Sequence, residues 1–283
     1  VSRIKPEKYF NPFGASGKQL KKYSDAVIYE MHIRDWCRAF YKNSTGKFTE
    51  LAESKELFSH LKELGVTHVQ LLPFFDYASK DEDSSYNWGY DPYNFNVPES
   101  RYANSGYEDG TDVIFQLRQM IQAFHDNGIA VNMDVVYNHT AEGNEHGYTF
   151  SLRGLQNDVY YSLPWGEKQY YMNFSGCGNA INANHPVVVE FIIASLRYWV
   201  LQMHVDGFRF DLASILTRGQ NAVPMELPPL TNAIAEDPIL RNTKMIAEPW
   251  DCGGGYLVGR FPGGRWCEWN DRYRDDIRRF IRG

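Results

Sequence analysis

The sequence predicts an α/β protein built on an incomplete (β/α)8 barrel of the TIM type. Short apolar runs alternate with helical segments along most of the chain, which is the pattern of parallel βα units. No glycine-rich phosphate-binding turn follows the first strand, which disfavours a doubly wound nucleotide-binding sheet. Polar residues instead follow several different strands, and this is where the active sites of (β/α)8 barrels lie.

About five βα units are predicted, so about three units of a complete barrel would be missing. The expected strands lie at 26–33, 67–73, 129–138, 207–213 and 244–250. The expected helices lie at 57–65, 111–127, 186–203, 229–240 and 272–281. The first of these helices ends at a glycine, as many helices do, and the second has apolar residues at helical spacing.

The domain organisation follows from the same pattern. Residues 1–25 are polar and turn-rich and are expected to form a connector from an upstream domain. Residues 26–283 are expected to form the partial barrel, with a loop-rich insertion at about 139–185. The stretch 108–112 (EDGTD) is interpreted as the N-terminal cap of a helix, not as a metal-binding loop. Because the chain begins with Val1, we expect a processed protein or an excerpt of a longer one.

The composition excludes several classes of partner. With 29 basic and 35 acidic residues, the chain has a formal charge of −6 and no nucleic-acid footprint. Four scattered cysteines predict reduced thiols without a zinc site or disulfide framework. We find neither a signal peptide nor an apolar run of membrane-spanning length, so no membrane association is expected.

The fourth predicted strand carries two charged residues within an apolar run. Alternation along a strand places Arg209 and Asp211 on one face. Phe208, Phe210 and Leu212 are then expected on the opposite face. A buried guanidinium and a buried carboxylate are costly unless they are paired or functional. The strand alone leaves both a structural ion pair and a functional site open.

The fifth predicted strand ends in a second carboxylate, Glu248. Two carboxyl groups at the ends of adjacent strands suit the cleavage of an acetal by a nucleophile and an acid/base. Arg209 would keep Asp211 ionised, whereas the apolar neighbours of Glu248 would help it to retain a proton.

Three segments carry a resemblance to a known family. The stretches DVVYNH (134–139), GFRFDLAS (207–214) and AEPWD (247–251) resemble three of the four signature regions of the α-amylase superfamily, glycoside hydrolase family 13. From about Val27 to Gly283 the chain is similar to the isoamylase and glycogen-debranching branch, especially to starch-debranching isoamylases of plant and algal type. The most specific stretch is EPWDCGG (248–254).

The resemblance implies roles for five residues. Asp211 would be the nucleophile that forms a covalent glycosyl ester, and Glu248 would be the general acid and later the general base. Arg209 would orient Asp211 and support its charge. His139 would hydrogen-bond the sugar at the cleavage subsite, and Tyr90 would stack beneath its ring.

Further residues have structural interpretations. In the family, Asp134 and Asn138 are usually architectural. Taken alone, His139 would more often be a loop histidine and Tyr90 a packing aromatic. Trp250 could pack in the core or could line the site on the side of the leaving group. No cofactor and no metal ion are expected.

The fourth signature, a His-Asp pair that ends the seventh strand of the family, does not occur in this sequence. The β-domains that accompany the family's barrel are not recognisable either. We therefore expect an excerpt of a catalytic domain that would be inactive as an isolated 283-residue polypeptide.

The resemblance implies a retaining hydrolase of α-1,6 branch points in amylopectin, glycogen or phytoglycogen. Pullulanase, branching enzyme and α-amylase remain alternatives, as does a non-catalytic glucan-binding subunit of a debranching complex. No nucleic-acid partner is expected. The sequence leaves the oligomeric state open, including a homo-oligomer or a hetero-oligomer with other debranching subunits. The expected location is the plastid for a plant or algal source and the cytoplasm for a bacterial one.

Overall fold

The computed structural model describes residues 22–78, 86–104 and 110–283. Most of the expected connector at 1–25 therefore lies outside the described residues, as do Glu108 and Asp109 of the expected helix cap. The chain divides into two compact units. The first comprises the described residues of Val1–Val136 with Glu190–Arg209 and Asp237–Lys244, and the second comprises Tyr137–Val189, Phe210–Glu236 and Met245–Gly283.

Eight strands and eight α-helices lie in the described part of the chain. The strands are β1 (Ile28–Met31), β2 (His68–Leu71), β3 (Phe75–Tyr77), β4 (Pro92–Pro98), β5 (Ala130–Val135), β6 (Gly207–Phe210), β7 (Lys244–Ala247) and β8 (Cys267–Glu268). The helices are α1 (Ile33–Phe40), α2 (Phe48–Glu53), α3 (Lys55–Glu63), α4 (Gly110–Asp126), α5 (Leu152–Tyr160), α6 (Pro186–Met203), α7 (Pro229–Glu236) and α8 (Asp271–Arg282).

The strand order confirms the barrel-type prediction. Within the described residues, six strands form the main sheet in the order β1-β2-β5-β6-β7-β8, while β3 and β4 form a separate antiparallel pair. Strand β2 pairs in parallel with β1 and with β5, so that His68 lies opposite Ile28 and Ala130. The order follows the chain without the reversal that defines a doubly wound sheet.

Backbone hydrogen bonds set the register of β6 against β7. Lys244 N donates to Asp206 O over 3.1 Å, and Glu248 N donates to Phe210 O over 3.0 Å. Both bonds join residues with the same sequence offset, as expected for parallel strands. This register places Glu248 beside Phe210, the last residue of β6. Asp211 is the next residue along the chain.

Helix α6 corrects one expectation from the sequence. Among the described residues it is the one helix long and apolar enough, by length and composition, to cross a membrane, with a mean hydropathy of 1.3. Its residues Ile192, Leu196, Trp199 and Met203 recur at helical spacing and are buried. The core helix of a globular protein has the same apolar stripe, so the composition carries no conclusion about a membrane.

The structure also adds elements that the sequence pattern did not reveal. Strand β8 is a sixth strand of the sheet, where five had been predicted, and it pairs with β7 through Ile246–Cys267 and Ala247–Glu268. Two residues are too few to show a periodicity. Helices α1 and α2 and the β3–β4 pair were also missed, and the loop-rich insertion contains α5.

Strand β6 ends earlier than predicted. It stops at Phe210, and Leu212 adopts a left-handed conformation with φ +40°. The alternation that would place Leu212 on the same face as Phe210 therefore does not continue past the strand. Asp211 instead lies in the turn by which the chain leaves the sheet.

Candidate active site

A buried ion pair lies at the end of β5 in the first unit. One guanidinium nitrogen of Arg209 donates to both carboxylate oxygens of Asp134, over 2.8 and 3.0 Å. The two side chains are 4% and 0% exposed. The Arg209 charge thus has a buried partner on the neighbouring strand, which offsets the cost of removing it from water.

Tyr90 joins this ion pair. Its hydroxyl donates to Oδ2 of Asp134 over 2.7 Å, and the guanidinium carbon of Arg209 lies 5.8 Å from the centre of its ring. Both contacts fix the orientation of the tyrosine ring. They are compatible with the expected role of Tyr90 as a platform for a sugar, and that role stays a prediction.

Asp211 is held by an amide side chain in the second unit. Nδ2 of Asn138 donates to Oδ2 of Asp211 over 2.9 Å and to its backbone oxygen over 2.8 Å. Nδ1 of His139 lies 2.6 Å from Oδ1 of Asn138. Because Oδ1 can only accept, Nδ1 of His139 carries a proton. Asn138 therefore orients both the aspartate and the histidine.

Glu248 is bound to the segment that contains Asp211. Its Oε2 accepts a hydrogen bond from the Leu212 amide over 2.8 Å. Its backbone oxygen accepts one from the Ala213 amide, also over 2.8 Å. Together with the bond from Glu248 N to Phe210 O, three bonds hold Glu248 to residues 210–213. The two candidate catalytic carboxylates are thus anchored on one short stretch of backbone.

A buried glutamate organises the loop that follows His139. Glu142 accepts hydrogen bonds from the amides of Phe150, Ser151 and Arg153 over 2.9–3.0 Å, and another from the Tyr161 hydroxyl. Burial alone would raise the pKa of this carboxyl group, but the hydrogen bonds from Tyr161 and the three amides outweigh it and lower the pKa. Glu142 is therefore ionised at neutral pH.

Comparison with known proteins identifies the family. A sequence profile described as the catalytic domain of alpha amylase matches residues 37–161. The chloroplastic isoamylase 3 of Oryza sativa subsp. japonica is 49% identical over 276 residues, which cover 92% of this chain and 34% of the relative. This chain belongs to the α-amylase family.

Other members of the family are similar over comparable spans. The chloroplastic isoamylase SU1 of Zea mays is 46% identical over 97% of this chain and 38% of the relative. The glycogen operon protein GlgX homolog of Mycobacterium bovis is 41% identical over 92% of this chain and 37% of the relative. The chain thus spans between a third and two fifths of the length of these curated relatives.

Solved structures of the α-amylase family share the fold. A pullulanase from Paenibacillus barengoltzii, crystallised with maltohexaose and α-cyclodextrin, has a TM-score of 0.77 and 32% sequence identity. The match covers 94% of this chain and 43% of the pullulanase chain. A pullulanase from Bacillus acidopullulyticus has a TM-score of 0.72 and 35% identity, over 89% of this chain and 31% of that chain.

The structure brings the residues predicted from the sequence into two groups. Asp211, Glu248 and His139 are joined through hydrogen bonds in the second unit. Tyr90 and Arg209 meet at Asp134 in the first unit. The catalytic and sugar-binding roles of these residues stay predictions.

Sequence reasoning missed several residues that support this site. It gave no role to Glu142, whose partners lie within the loop-rich insertion. It also gave none to Ser214, Arg218 and Asp251, because their contacts join positions far apart in the chain. Ser214 and Arg218, for instance, contact Asp251 across 37 and 33 positions. The run of glycines after Asp251 was the available signal, since consecutive glycines often mark a close approach of backbone to other groups.

Proposed function

We propose that the complete protein that carries this chain is a retaining glycoside hydrolase that cleaves α-1,6 branch points in α-glucans. The observation that carries the proposal is the hydrogen bond from the Leu212 amide to the Glu248 carboxylate. Leu212 directly follows Asp211, so this bond anchors Glu248 next to the second candidate carboxylate. Retaining glycosidases need two carboxyl groups about 5–5.5 Å apart, one as nucleophile and one as acid/base.

In the proposed reaction Asp211 and Glu248 act in two steps. Glu248 donates its proton to the glycosidic oxygen while a carboxylate oxygen of Asp211 bonds to the anomeric carbon, and the C–O bond to the leaving chain breaks. Glu248, now a carboxylate, then removes a proton from water, whose oxygen attacks the same carbon and releases Asp211. Asn138 orients Asp211 for the attack, because its amide donates to Oδ2 and to the backbone oxygen of the same residue.

The names of the relatives support the substrate class. Two relatives are isoamylases from plants, and one at 41% identity is named a glycogen debranching enzyme from an Enterobacter species. We infer that amylopectin and glycogen are the polymers on which this protein acts. We also propose that it works in the plastid if its source is a plant or alga, and as a homo- or hetero-oligomer with other debranching subunits.

A second candidate function is that of a pullulanase. The two solved structures described above are pullulanases, and they are 32% and 35% identical to this chain. Both activities cleave α-1,6 bonds, and in this chain both would use Asp211 and Glu248. They differ in whether the linear polymer pullulan is a substrate.

Hydrolysis of three polymers by the complete protein tests the proposal. We expect reducing ends to be released from amylopectin and glycogen at a much higher rate than from pullulan. Asp211→Asn and Glu248→Gln should each lower kcat by at least ~10⁴-fold, as removal of essential catalytic groups does in other hydrolases. Glu167→Gln removes an exposed carboxylate of the same kind and should retain the parental rate.

Each alternative outcome has a separate meaning. Rapid hydrolysis of pullulan would favour the pullulanase function. Binding of amylopectin without hydrolysis of any of the three polymers would favour the non-catalytic subunit. The configuration of the first product is a further check, because proton NMR should detect the α-anomer before mutarotation, and a β-anomer would contradict a retaining mechanism.

A further inference from the structure

The stretch EPWDCGG (248–254) contains a second carboxylate besides Glu248, that of Asp251, to which the proposed reaction gives no role. Oδ2 of Asp251 accepts hydrogen bonds from the Ser214 hydroxyl over 2.8 Å and from the Arg218 guanidinium over 2.9 Å. The side chain of Asp251 is fully buried, and that of Arg218 is 11% exposed. Asp251 thus joins the segment after Glu248 to the segment after Asp211.

The second oxygen of Asp251 organises its own turn. Oδ1 accepts hydrogen bonds from the amides of Gly253 and Gly255 over 2.8 and 2.9 Å. A Cβ atom at Gly255 would clash with the Asp251 carboxylate, and one at Gly253 would lie 2.6 Å from Cδ1 of Phe174. The glycines of this stretch are therefore needed for the close approach of their backbone.

Arg218 extends the contact to the loop-rich insertion. Its guanidinium carbon lies 3.9 Å from the centre of the Phe174 ring, and its second terminal nitrogen donates to Ala222 O over 3.1 Å. The backbone oxygen of Phe174 accepts a hydrogen bond from the Cys252 amide over 2.9 Å. Three loops of the second unit therefore meet at the Asp251–Arg218 pair.

The Asp251 carboxylate is ionised at neutral pH. Burial would raise its pKa, but hydrogen bonds from the Gly255 amide, Ser214 and Arg218, together with the charge of Arg218, lower it below the usual range. A negatively charged group with partners on both oxygens forms a rigid connection, because each partner constrains it in a different direction.

We propose that Asp251 is a positioning residue that fixes Glu248 relative to Asp211. Ser214 follows Asp211 by three residues, and Asp251 follows Glu248 by three residues. Leu212 and Ala213 already bind the segment after Asp211 to Glu248. The bond between Ser214 and Asp251 therefore joins the segment after Asp211 to the segment after Glu248 at a second point, a few residues further along both. This inference rests on the proposed function only for the catalytic role of the two carboxylates.

Two double variants of the complete protein separate positioning from the loss of a buried charge. Asp251→Ala with Arg218→Met removes the ion pair and every contact of the Asp251 side chain. Asp251→Asn with Arg218→Met also removes the charges but keeps a polar group that can bind Ser214 and the glycine amides. The alanine double variant should lower kcat on amylopectin by about 10²-fold with KM little changed, and the asparagine double variant should retain most of the rate.

A matched control is available in the first unit. Asp237 accepts hydrogen bonds from the amides of Ile239 and Leu240 and pairs with Arg197 over 2.8 Å. Its side chain is 3% exposed. Asp237→Ala with Arg197→Met removes a carboxylate with the same kinds of partners, and it should lower the unfolding temperature without lowering kcat in the folded protein.

Amide hydrogen exchange provides a readout that does not require activity. The Leu212 and Ala213 amides should exchange faster in the alanine double variant than in the parent, whereas the Asp237 control should leave them unchanged. If the parent hydrolyses no α-1,6 bond, the proposed function fails, but the exchange rates still decide whether Asp251 positions Glu248.

Two results would overturn the inference. The first is unchanged exchange at Leu212 and Ala213 in the alanine double variant. The second is an equal fall in kcat for the Asp237 control, because the effect would then be one of general destabilisation.

Discussion

At the scale of single residues, the main finding is that Asp134 is a buried ion-pair partner of Arg209. The sequence placed Arg209 and Asp211 on one face of a strand and left a structural ion pair as an alternative. In the structure Arg209 donates to both oxygens of Asp134, and the Tyr90 hydroxyl also donates to Asp134. The architectural interpretation of Asp134 therefore has a physical basis, since it carries the counter-charge of a buried guanidinium.

Breaking this pair should be costly. Asp134→Asn removes the carboxylate charge to which the buried Arg209 guanidinium donates, so we expect the free energy of unfolding to fall by about 3–5 kcal/mol. Urea unfolding of the complete protein measures the change. The control is Asp275→Asn, because Asp275 pairs with Arg274 at the surface, where their side chains are 43% and 48% exposed. Loss of this exposed pair should lower the free energy of unfolding far less than loss of the buried pair. Equal effects of the two substitutions would contradict the account.

Glu142 should make the free energy of unfolding depend on pH in the acid range. Because its native pKa is lowered, its contribution is complete above the unfolded glutamate pKa of about 4.3 and is lost as the pH falls through the lower native pKa. Glu142→Gln should therefore be less stable than the parent at pH 7, and should lose less stability between about pH 5 and pH 3. Thermal unfolding as a function of pH measures both effects.

The control for this pH dependence is Glu167→Gln, which replaces an exposed glutamate in the same insertion. It should follow the parental curve. A Glu142→Gln protein that loses as much stability in acid as the parent would contradict the assignment.

At the scale of secondary-structure elements, prediction succeeded where apolar periodicity was long. The boundaries of α6 match the predicted 186–203, and all five predicted strands lie within their expected ranges. Strand β8 was not predicted because it has only two residues, which become a strand by pairing with β7 in the folded sheet. The end of β6 was misplaced because the left-handed conformation of Leu212 is imposed by the turn and not by propensity.

Gly207 at the start of β6 offers a test of the packing between strands. A Cβ atom there would clash with the Asn132 side chain and would lie 2.8 Å from Cβ of Lys244. Gly207→Ala should therefore lower the free energy of unfolding by about 1–3 kcal/mol, as overpacking of a buried site does. Gly110→Ala is the control, because no described residue lies within 4 Å of a Cβ atom at that position. A Gly207→Ala protein as stable as the Gly110→Ala protein would rule out the tight contact.

At the scale of the whole molecule, the parallel order of the strands was predictable from the sequence, and the catalytic site at their ends stays a prediction. Residues Asp211 and Glu248 stand at the ends of apolar runs, where a barrel places its catalytic groups. The network of Asp251 with Ser214 and Arg218 was not predictable in the same way. Its members lie in separate loops, so only the folded chain reveals that one carboxylate binds both.

The central claim is that Asp211 acts as a nucleophile and Glu248 as the acid/base in cleaving α-glucans. Mass spectrometry of a trapped intermediate tests it most directly. The Glu248→Gln variant of the complete protein would be incubated with a fluorinated α-maltosyl fluoride, whose good leaving group removes the need for acid assistance. We predict a covalent glycosyl ester on the peptide that contains Asp211. A protein that remains unlabelled, or a label on another residue, would contradict the account.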